Sequence, residues 1–167
     1  MGAKVSIDFS GLDEVRKKLF DASADVQTER LLAYAPLLLK TAYESRGFKN
    51  QTMNLKDSYL WAVYYRGELK GSGFLTPMAE ATKRAEYAGE KVDGRELANT
   101  FLSRYVSDVS GWEVVLLAAA PYGRTLEEGG DSWESKRQRF EVLTYAFDMV
   151  RKDFSGANRS YRMLYNV

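Results

Sequence analysis

Paired carboxylates are the residues of this sequence that come closest to a reactive group. Glu127 and Glu128 stand in an irregular segment, and Asp131 follows shortly after them. Carboxylate oxygens can hold a divalent cation or exchange protons. Neighbouring residues of an extended segment point to opposite faces, however, and neither lysine nor histidine lies beside the pair. We therefore favour structural hydrogen bonding or a subunit contact for this pair, with a carboxylate-dependent enzyme as the less favoured alternative.

The composition excludes most other kinds of active site. The 167 residues include no histidine and no cysteine, which removes histidine-dependent triads, thiolate nucleophiles, disulfides and the usual zinc ligands. No serine stands in a nucleophile-elbow or Ser-x-x-Lys context. Gly71-Ser72-Gly73 lacks the Gly-Lys-Ser/Thr of a phosphate-binding loop and is interpreted as a hairpin bend. We expect no enzymatic activity, no metal and no cofactor.

Nucleic acid is a second class of partner to consider. The 24 basic and 23 acidic residues are scattered and give a net charge of +1, so no global field attracts phosphate. The local groups Arg16-Lys17-Lys18 and Lys136-Arg137-Gln138-Arg139 fall on predicted helices, where a solvated face is the usual role. A nucleic-acid-binding module would need those faces beside exposed aromatic side chains. The candidates, for which a place in the core is favoured, are Trp61, Tyr64, Tyr65, Trp112 and Tyr122.

Strands are predicted where apolar residues alternate or form a short run. Alternation predicts a strand over 4–9. Aromatic and branched residues predict another over 59–65, and 69–76 is predicted to return as a second, more exposed strand. The run from Trp112 to Ala119 predicts a central strand covered on both faces. No stretch is apolar for the length of a membrane span, and the N-terminus lacks the apolar segment of a signal peptide. We expect a soluble chain that is not exported and has no membrane partner.

Helices are predicted from 3.6-residue spacing and end signals. The capping box Ser10-Gly11-Leu12-Asp13 opens a helix to about Ala22, whose apolar face carries Val15 and Leu19. A long packing helix over 25–46 should kink or restart near Tyr34, because Pro36 removes a backbone donor. Its predicted packing stripe consists of Leu31, Leu32, Ala35, Leu38, Leu39 and Ala42. Two further helices are predicted within 77–107, starting at Thr76-Pro77 and at Asp93. A last helix is predicted over 132–154, with Leu143 and Phe147 on the apolar stripe that closes the core.

These elements predict an α+β fold with a mostly antiparallel sheet, formed by 4–9, 59–75 and 112–127 and packed against the long N-terminal helix and the C-terminal helix. One domain over 1–156 would contain 77–107 as a helical insertion. The remaining 157–167 is predicted to be a tail that can dock on a neighbour. Because no heptad seam or long apolar surface stripe is evident, we expect a monomer or weak oligomer in solution.

The order of short motifs adds a resemblance. Gly11-Leu12-Asp13-Glu14-Val15 opens the first helix, Thr52 to Ser58 precedes the aromatic strand, and Tyr122 to Gly129 follows the apolar strand as Tyr-Gly-Arg-Thr-Leu-Glu-Glu-Gly. In this order the segments resemble the tail-component family of long-tailed phages, typified by gene product ten of the Hong Kong lambdoid phage. That family has a G-L-D-E-L start, a P-V-D-T-G-x-L-x-x-S loop and a late Y-A-x-x-V-E-x-G segment. Met53 replaces the loop glycine here, and the preceding proline-aspartate pair is missing.

The resemblance implies a structural virion protein of a phage or prophage, acting in tail completion or head-tail joining as a ring-forming neck or tail component. Its partners would be further copies of itself and other neck or tail proteins, and DNA would pass through the ring without specific binding. The protein would be found in the virion and, during assembly, in the host bacterial cytoplasm. The residues that match the late motif and are predicted to form the assembly interface are Tyr122, Arg124, Leu126, Glu127 and Glu128.

Overall fold

Helices pack against a four-stranded sheet in this protein. The computed structural model describes residues 10–46, 54–75, 85–87, 90–121, 123–124, 141–153 and 159–165. The predicted α+β fold with a mostly antiparallel sheet is confirmed. In chain order the elements are α1 (Ser10–Arg46), α2 (Asn54–Ser58), β1 (Tyr59–Tyr65), β2 (Glu68–Phe74), β3 (Ala85–Tyr87), β4 (Glu90–Val92), α3 (Gly94–Arg104), β5 (Trp112–Ala118), α4 (Val142–Asp153) and β6 (Arg159–Tyr165).

The sheet has the strand order β2-β1-β5-β6. β1 pairs antiparallel with β2 and with β5. β6 pairs parallel with β5, from Trp112 opposite Arg159 to Ala118 opposite Tyr165. All residues of β5 after Trp112 are buried, which confirms the central strand predicted from its apolar run. The predicted extension of this strand to residue 127 is wrong, because β5 ends at Ala118 and a turn follows at Pro121.

A two-residue turn joins β1 to β2. Arg66 and Gly67 both have positive φ, at 52° and 81°, as a type I′ hairpin turn requires. A Cβ atom on Gly67 would also lie 3.1 Å from the carbonyl oxygen of Ser107. The Arg66 N–H donates to the carbonyl oxygen of Gly111 at 2.9 Å. The turn is thus fixed against the chain segment that enters β5.

The hairpin bend predicted at Gly71-Ser72-Gly73 is wrong, because these residues lie inside β2. Close packing explains the glycines. A Cβ atom on Gly71 would lie 2.5 Å from Leu32 Cδ2, and one on Gly73 would lie 2.9 Å from Trp61 Cζ2. Glycine in this strand therefore allows α1 and the Trp61 ring to approach the edge of the sheet.

One face of the sheet is covered by α1 and α4. The predicted long packing stripe is confirmed, since Leu31, Leu38 and Leu39 are all buried against the sheet. On α4, Leu143 is fully buried, whereas Phe147 is only partly buried. This core cluster consists of Leu31, Ala35, Leu38, Leu39, Ala42, Tyr59, Val63, Val114, Leu116, Ala118, Ala120, Val142, Leu143 and Ala146.

α1 is one unbroken helix of 37 residues, so the predicted end near Ala22 and the predicted restart near Tyr34 are wrong. Pro36 lies inside this helix. Ala35, Leu38 and Leu39 lie close to Pro36 in the helix and are buried, so packing against the sheet compensates the lost backbone hydrogen bond. The apolar face predicted at Val15 and Leu19 is exposed rather than packed.

The opposite face of the sheet is covered by α3. Asp93 caps this helix as predicted, because its Oδ1 accepts hydrogen bonds from the N–H groups of Arg95 and Glu96. The description of 77–107 as a helical insertion is correct only for this helix, since β3 and β4 form an antiparallel hairpin just before it. The predicted helix start at Thr76-Pro77 lies outside the described residues.

The C-terminal third also differs from the prediction. The closing helix begins at Val142 and not at residue 132, because Glu141 has φ at 49° and cannot continue a right-handed helix. The segment predicted to be a tail contains β6, which is an edge strand of the chain's own sheet. The predicted first strand over 4–9 and residues 132–140 of the predicted helix lie outside the described residues.

Candidate functional site

A buried carboxylate lies in the central strand β5, on the face of the sheet that α3 covers. Glu113 is the second residue of β5 and is fully buried. It stands directly opposite Tyr64 of β1 in the antiparallel register. Because an ionised carboxylate is costly to remove from water without partners, the groups around it have to compensate its charge.

Two side chains converge on one oxygen of this carboxylate. Arg162 of β6 places its Nε 2.7 Å from Glu113 Oε1. The hydroxyl of Tyr105, which caps the end of α3, donates to the same oxygen at 3.0 Å. The guanidinium also pairs, through Nη2, with the exposed carboxylate of Asp108. Together with Tyr64, which stands opposite Glu113, these residues form what we call the Glu113 cluster: Tyr64, Tyr105, Asp108, Glu113 and Arg162.

The topology explains why these residues meet. Arg162 lies opposite Val115 in the parallel β5–β6 register, and Val115 shares its face of the sheet with Glu113. Tyr105 enters from the C-terminal end of α3, where its ring lies 5.3 Å from that of Tyr64. The cluster therefore joins β1, β5, β6 and the end of α3.

The electrostatics of the cluster keep both tyrosines protonated. Burial, followed by the hydrogen bond to Glu113 and its charge, raises the pKa of Tyr105 to about 12. Burial and the charge of Glu113 likewise raise the pKa of Tyr64. The same carboxylate is the main cause that raises the pKa of Arg162. A phenol with a raised pKa is a poor proton donor at neutral pH, so this arrangement suits a structural ion pair.

Two polar atoms of the cluster lack a hydrogen-bond partner in the described part of the chain. They are the Tyr64 hydroxyl and Glu113 Oε2, and both are buried. A recess of about 230 Å³ is lined by Thr100, Phe101, Arg104, Tyr105 and Val106, of which Val106 is 80% exposed. Of the Glu113 cluster, Tyr105 is among these lining residues.

The sequence did not single out this cluster, although it contains a usable signal. Glu113 is the only charged residue in the run from Trp112 to Ala119. Arg162 lies between Tyr161 and Met163, in a segment that alternates once it is recognised as a strand. A charge inside a strand buried on both faces requires a partner of opposite sign. Which basic residue supplies it depends on the parallel pairing of β6, which the local pattern does not specify.

The residues predicted to form the assembly interface are mostly outside the described part of the chain. Arg124 is described and is exposed, shortly after the turn at Pro121. Tyr122, Leu126, Glu127 and Glu128 lie outside the described residues, as does Asp131. Within the late segment the structure therefore places Arg124 at the surface, whereas Gly123 before it is buried.

The four described aromatic candidates for base stacking belong to the packed interior. Tyr64 is buried, and Trp61 packs against the core between α1 and the sheet. Tyr65 stacks on Trp112 at a centroid distance of 4.7 Å. The Trp112 Nε1–H donates to the Thr28 hydroxyl of α1 at 3.1 Å. The core interpretation of these four side chains is confirmed, and Tyr122 lies outside the described residues.

A different exposed surface is found on α1. Val15, Leu19, Val26 and Leu37 are about half or more exposed, and we call them the outer stripe of α1. This corrects the expectation that the chain has no apolar surface stripe. The Arg16-Lys17-Lys18 group is also exposed here, whereas residues 136–139 lie outside the described residues.

Comparison of the chain with protein-family models, with curated proteins and with solved structures found no match in any of the three. Among the described residues, no helix is long and apolar enough to cross a membrane. No group of three or more possible metal-ligand side chains is found in the same part of the chain.

Proposed function

We propose that the protein is a structural component of a phage or prophage virion, acting in tail completion or head-tail joining as a ring-forming neck or tail protein. Three sequence segments in family order support this proposal. The observation that carries it is the exposure of Arg124, a residue of the third segment that lies shortly after the buried central strand β5. An exposed charge close to a rigid strand suits an assembly contact.

The interface proposed on this segment consists of Tyr122, Arg124, Leu126, Glu127 and Glu128. Its partners would be neighbouring copies of the chain and other neck or tail proteins. A net charge of +1 suits a ring through which DNA slides, because strong phosphate binding needs clustered lysine and arginine. The protein would act in the virion after assembly in the host cytoplasm.

Complementation of a phage that lacks this gene tests the proposal. The double variant Arg124→Glu with Glu127→Lys should melt at nearly the parent temperature, because exposed charges contribute little to folding. It should nevertheless block head-tail joining, since opposed like charges across an assembly contact cost several kcal/mol. Electron micrographs of lysates should show filled heads without tails. Normal titres from the folded double variant would remove this segment from the interface, and normal particles without the gene would refute the proposed function.

A nucleic-acid-binding module remains the alternative, and one observation favours it. Phe20 is 54% exposed and lies beside Arg16 and Lys17 on α1, with the Arg66 guanidinium 5.4 Å from its ring. Basic side chains around an exposed aromatic ring suit contact with phosphate and bases. A duplex and a single strand should then bind at moderate salt and lose affinity in Phe20→Ala. Equal affinity of parent and variant would refute this alternative.

A further inference from the structure

The outer stripe of α1 is turned away from the core of the molecule. With about 100° of rotation per residue, Val15, Leu19, Val26 and Leu37 lie within about 40° of one another. The buried residues Ala24, Leu31, Ala35, Leu38, Leu39 and Ala42 centre on the opposite side of the helix, at about 140–240° from Val15. The helix therefore has two apolar faces, and only one of them packs against the chain's own sheet.

The N-terminal part of α1 is accessible on the side of the outer stripe, whereas the Arg66 guanidinium lies over the Phe20 ring on another side of the helix. Residues 14–23 are all exposed, and the helix is about 55 Å long, whereas β1 beneath it spans about 23 Å. Contacts mark the ends of the overlap: Thr28 meets Trp112 at one end of β1, and the Tyr43 ring lies 6.2 Å from that of Tyr59 at the other. A second helix can approach the outer stripe before Thr28 without meeting the sheet.

Charge is distributed unevenly along the same exposed stretch. Glu14 comes first and pairs with Lys18 within the helix at 3.0 Å. The basic residues Arg16, Lys17 and Lys18 follow, and after them come the acidic residues Asp21, Asp25 and Glu29. A parallel partner of the same sequence would bring the basic groups of the two copies together. An antiparallel partner would bring the basic group of each copy against the acidic residues of the other, as a two-fold contact requires.

We propose that the outer stripe of α1 binds a second copy of this chain, with the two helices antiparallel and the crossing point near Leu19 to Ala22. Val15 then packs against the Val26 of the other copy, and Lys18 faces its Asp25. Since the stripe is short, the dimer is weak, and its strength falls with added salt because part of it is ionic. The contact does not depend on the role proposed in the virion.

Sedimentation equilibrium up to about 1 mM protein tests the self-association. Leu19→Lys should raise the dimer dissociation constant at least about tenfold, since it places a charge at the centre of the stripe. Phe20→Lys is the matched control: it makes the same kind of change at the next residue, about 100° around the helix, and should leave the constant nearly unchanged. A protein that stays monomeric over this range, or an equal loss in both variants, would overturn the proposal.

Two further variants test the orientation. Lys18→Asp should weaken the dimer, and adding Asp25→Lys should restore it, because the exchanged charges still face each other in the antiparallel pair. The chain has no cysteine, so Val15→Cys and Val26→Cys each introduce a single thiol. When the two are mixed and oxidised, the antiparallel contact should give mainly the 15–26 cross-link. Mainly 15–15 and 26–26 products would overturn the orientation, whatever the dissociation constant.

Discussion

The two faces of the sheet are built on different principles. The face under α1 and α4 is closed by a cluster of apolar side chains. The face under α3 also has an apolar cluster, around Leu60, Val115 and Leu117, but Glu113 lies fully buried at its end. The same two central strands thus carry one face that is held mainly by apolar packing and one that also depends on a charged contact.

The difference shows what each kind of contact can specify. An apolar face tolerates substitutions that preserve volume. A buried carboxylate accepts only partners that satisfy it, so Glu113 selects Arg162 from β6 and the Tyr105 hydroxyl from the end of α3. We infer that the apolar face supplies most of the stability and that the Glu113 cluster fixes the position of the C-terminal strand.

The largest effect is expected on the apolar face. Leu143→Ala should lower the free energy of unfolding by about 2–5 kcal/mol, because it leaves a cavity at a fully buried position of α4. Phe147→Ala is the control from the same helix and should cost less, since Phe147 is only partly buried. Urea unfolding at neutral pH measures both, and a larger loss for Phe147→Ala would mean that α4 packs with another face.

Removing the arginine of the Glu113 cluster should lower the free energy of unfolding somewhat less than Leu143→Ala does. Arg162→Met keeps the length of the side chain but leaves Glu113 with only the Tyr105 hydrogen bond. An incompletely paired buried charge should lower the free energy of unfolding by about 2–4 kcal/mol. Native-state hydrogen exchange should also show faster exchange of the β6 amides than of those in β1. If all strands lost protection equally, the cluster would not act specifically on β6.

Tight packing over the edge strand predicts an intermediate effect. Gly73→Ala places a methyl group 2.9 Å from the Trp61 ring, so overpacking should cost about 1–3 kcal/mol. Gly71→Ala meets the end of the Leu32 side chain at 2.5 Å, which can change rotamer, so its loss should be smaller. Thermal unfolding compares the two. The reverse order would indicate that α1 and not Trp61 sets the spacing over β2.

The smallest effect is expected from the pH dependence of the α3 face. The folded-state pKa of Tyr105 is about 12, above the ordinary value near 10. Between these values the folded chain keeps a proton that the unfolded chain loses, so the stabilisation is complete below pH 10 and disappears as pH rises to about 12. Tyr105→Phe should flatten the fall in urea midpoint above pH 10. An unchanged slope would remove Tyr105 from the alkaline transition.

Much of the apolar face could be predicted from the sequence, because its residues follow local periods. Leu31, Leu38 and Leu39 were identified from helical spacing, and β5 from its apolar run. Helix ends were harder to predict: Pro36 does not break α1, and a positive φ at Glu141 sets the start of α4. The local sequence pattern shows neither the packing that keeps α1 continuous at Pro36 nor the backbone conformation of Glu141.

The Glu113 cluster and β6 were missed for a different reason. Glu113 is separated in the sequence from Arg162 by α4 and by the segment after β5, so only the parallel pairing brings them together. The exposure of the outer stripe of α1 was missed because its apolar spacing is the same as that of a packed helix. Whether such a helix face is buried against the sheet or exposed depends on the length of the helix relative to the sheet.

A double-mutant cycle on Glu113 and Arg162 tests most directly whether a charged contact holds β6 on the α3 face. Glu113→Gln, Arg162→Met and the double variant would be compared with the parent by urea unfolding at neutral pH. We expect each single variant to lose stability and the double variant to lose less than their sum, with a coupling energy of about 1–3 kcal/mol. Additive losses would show that the two side chains act independently and would contradict the role assigned to the cluster.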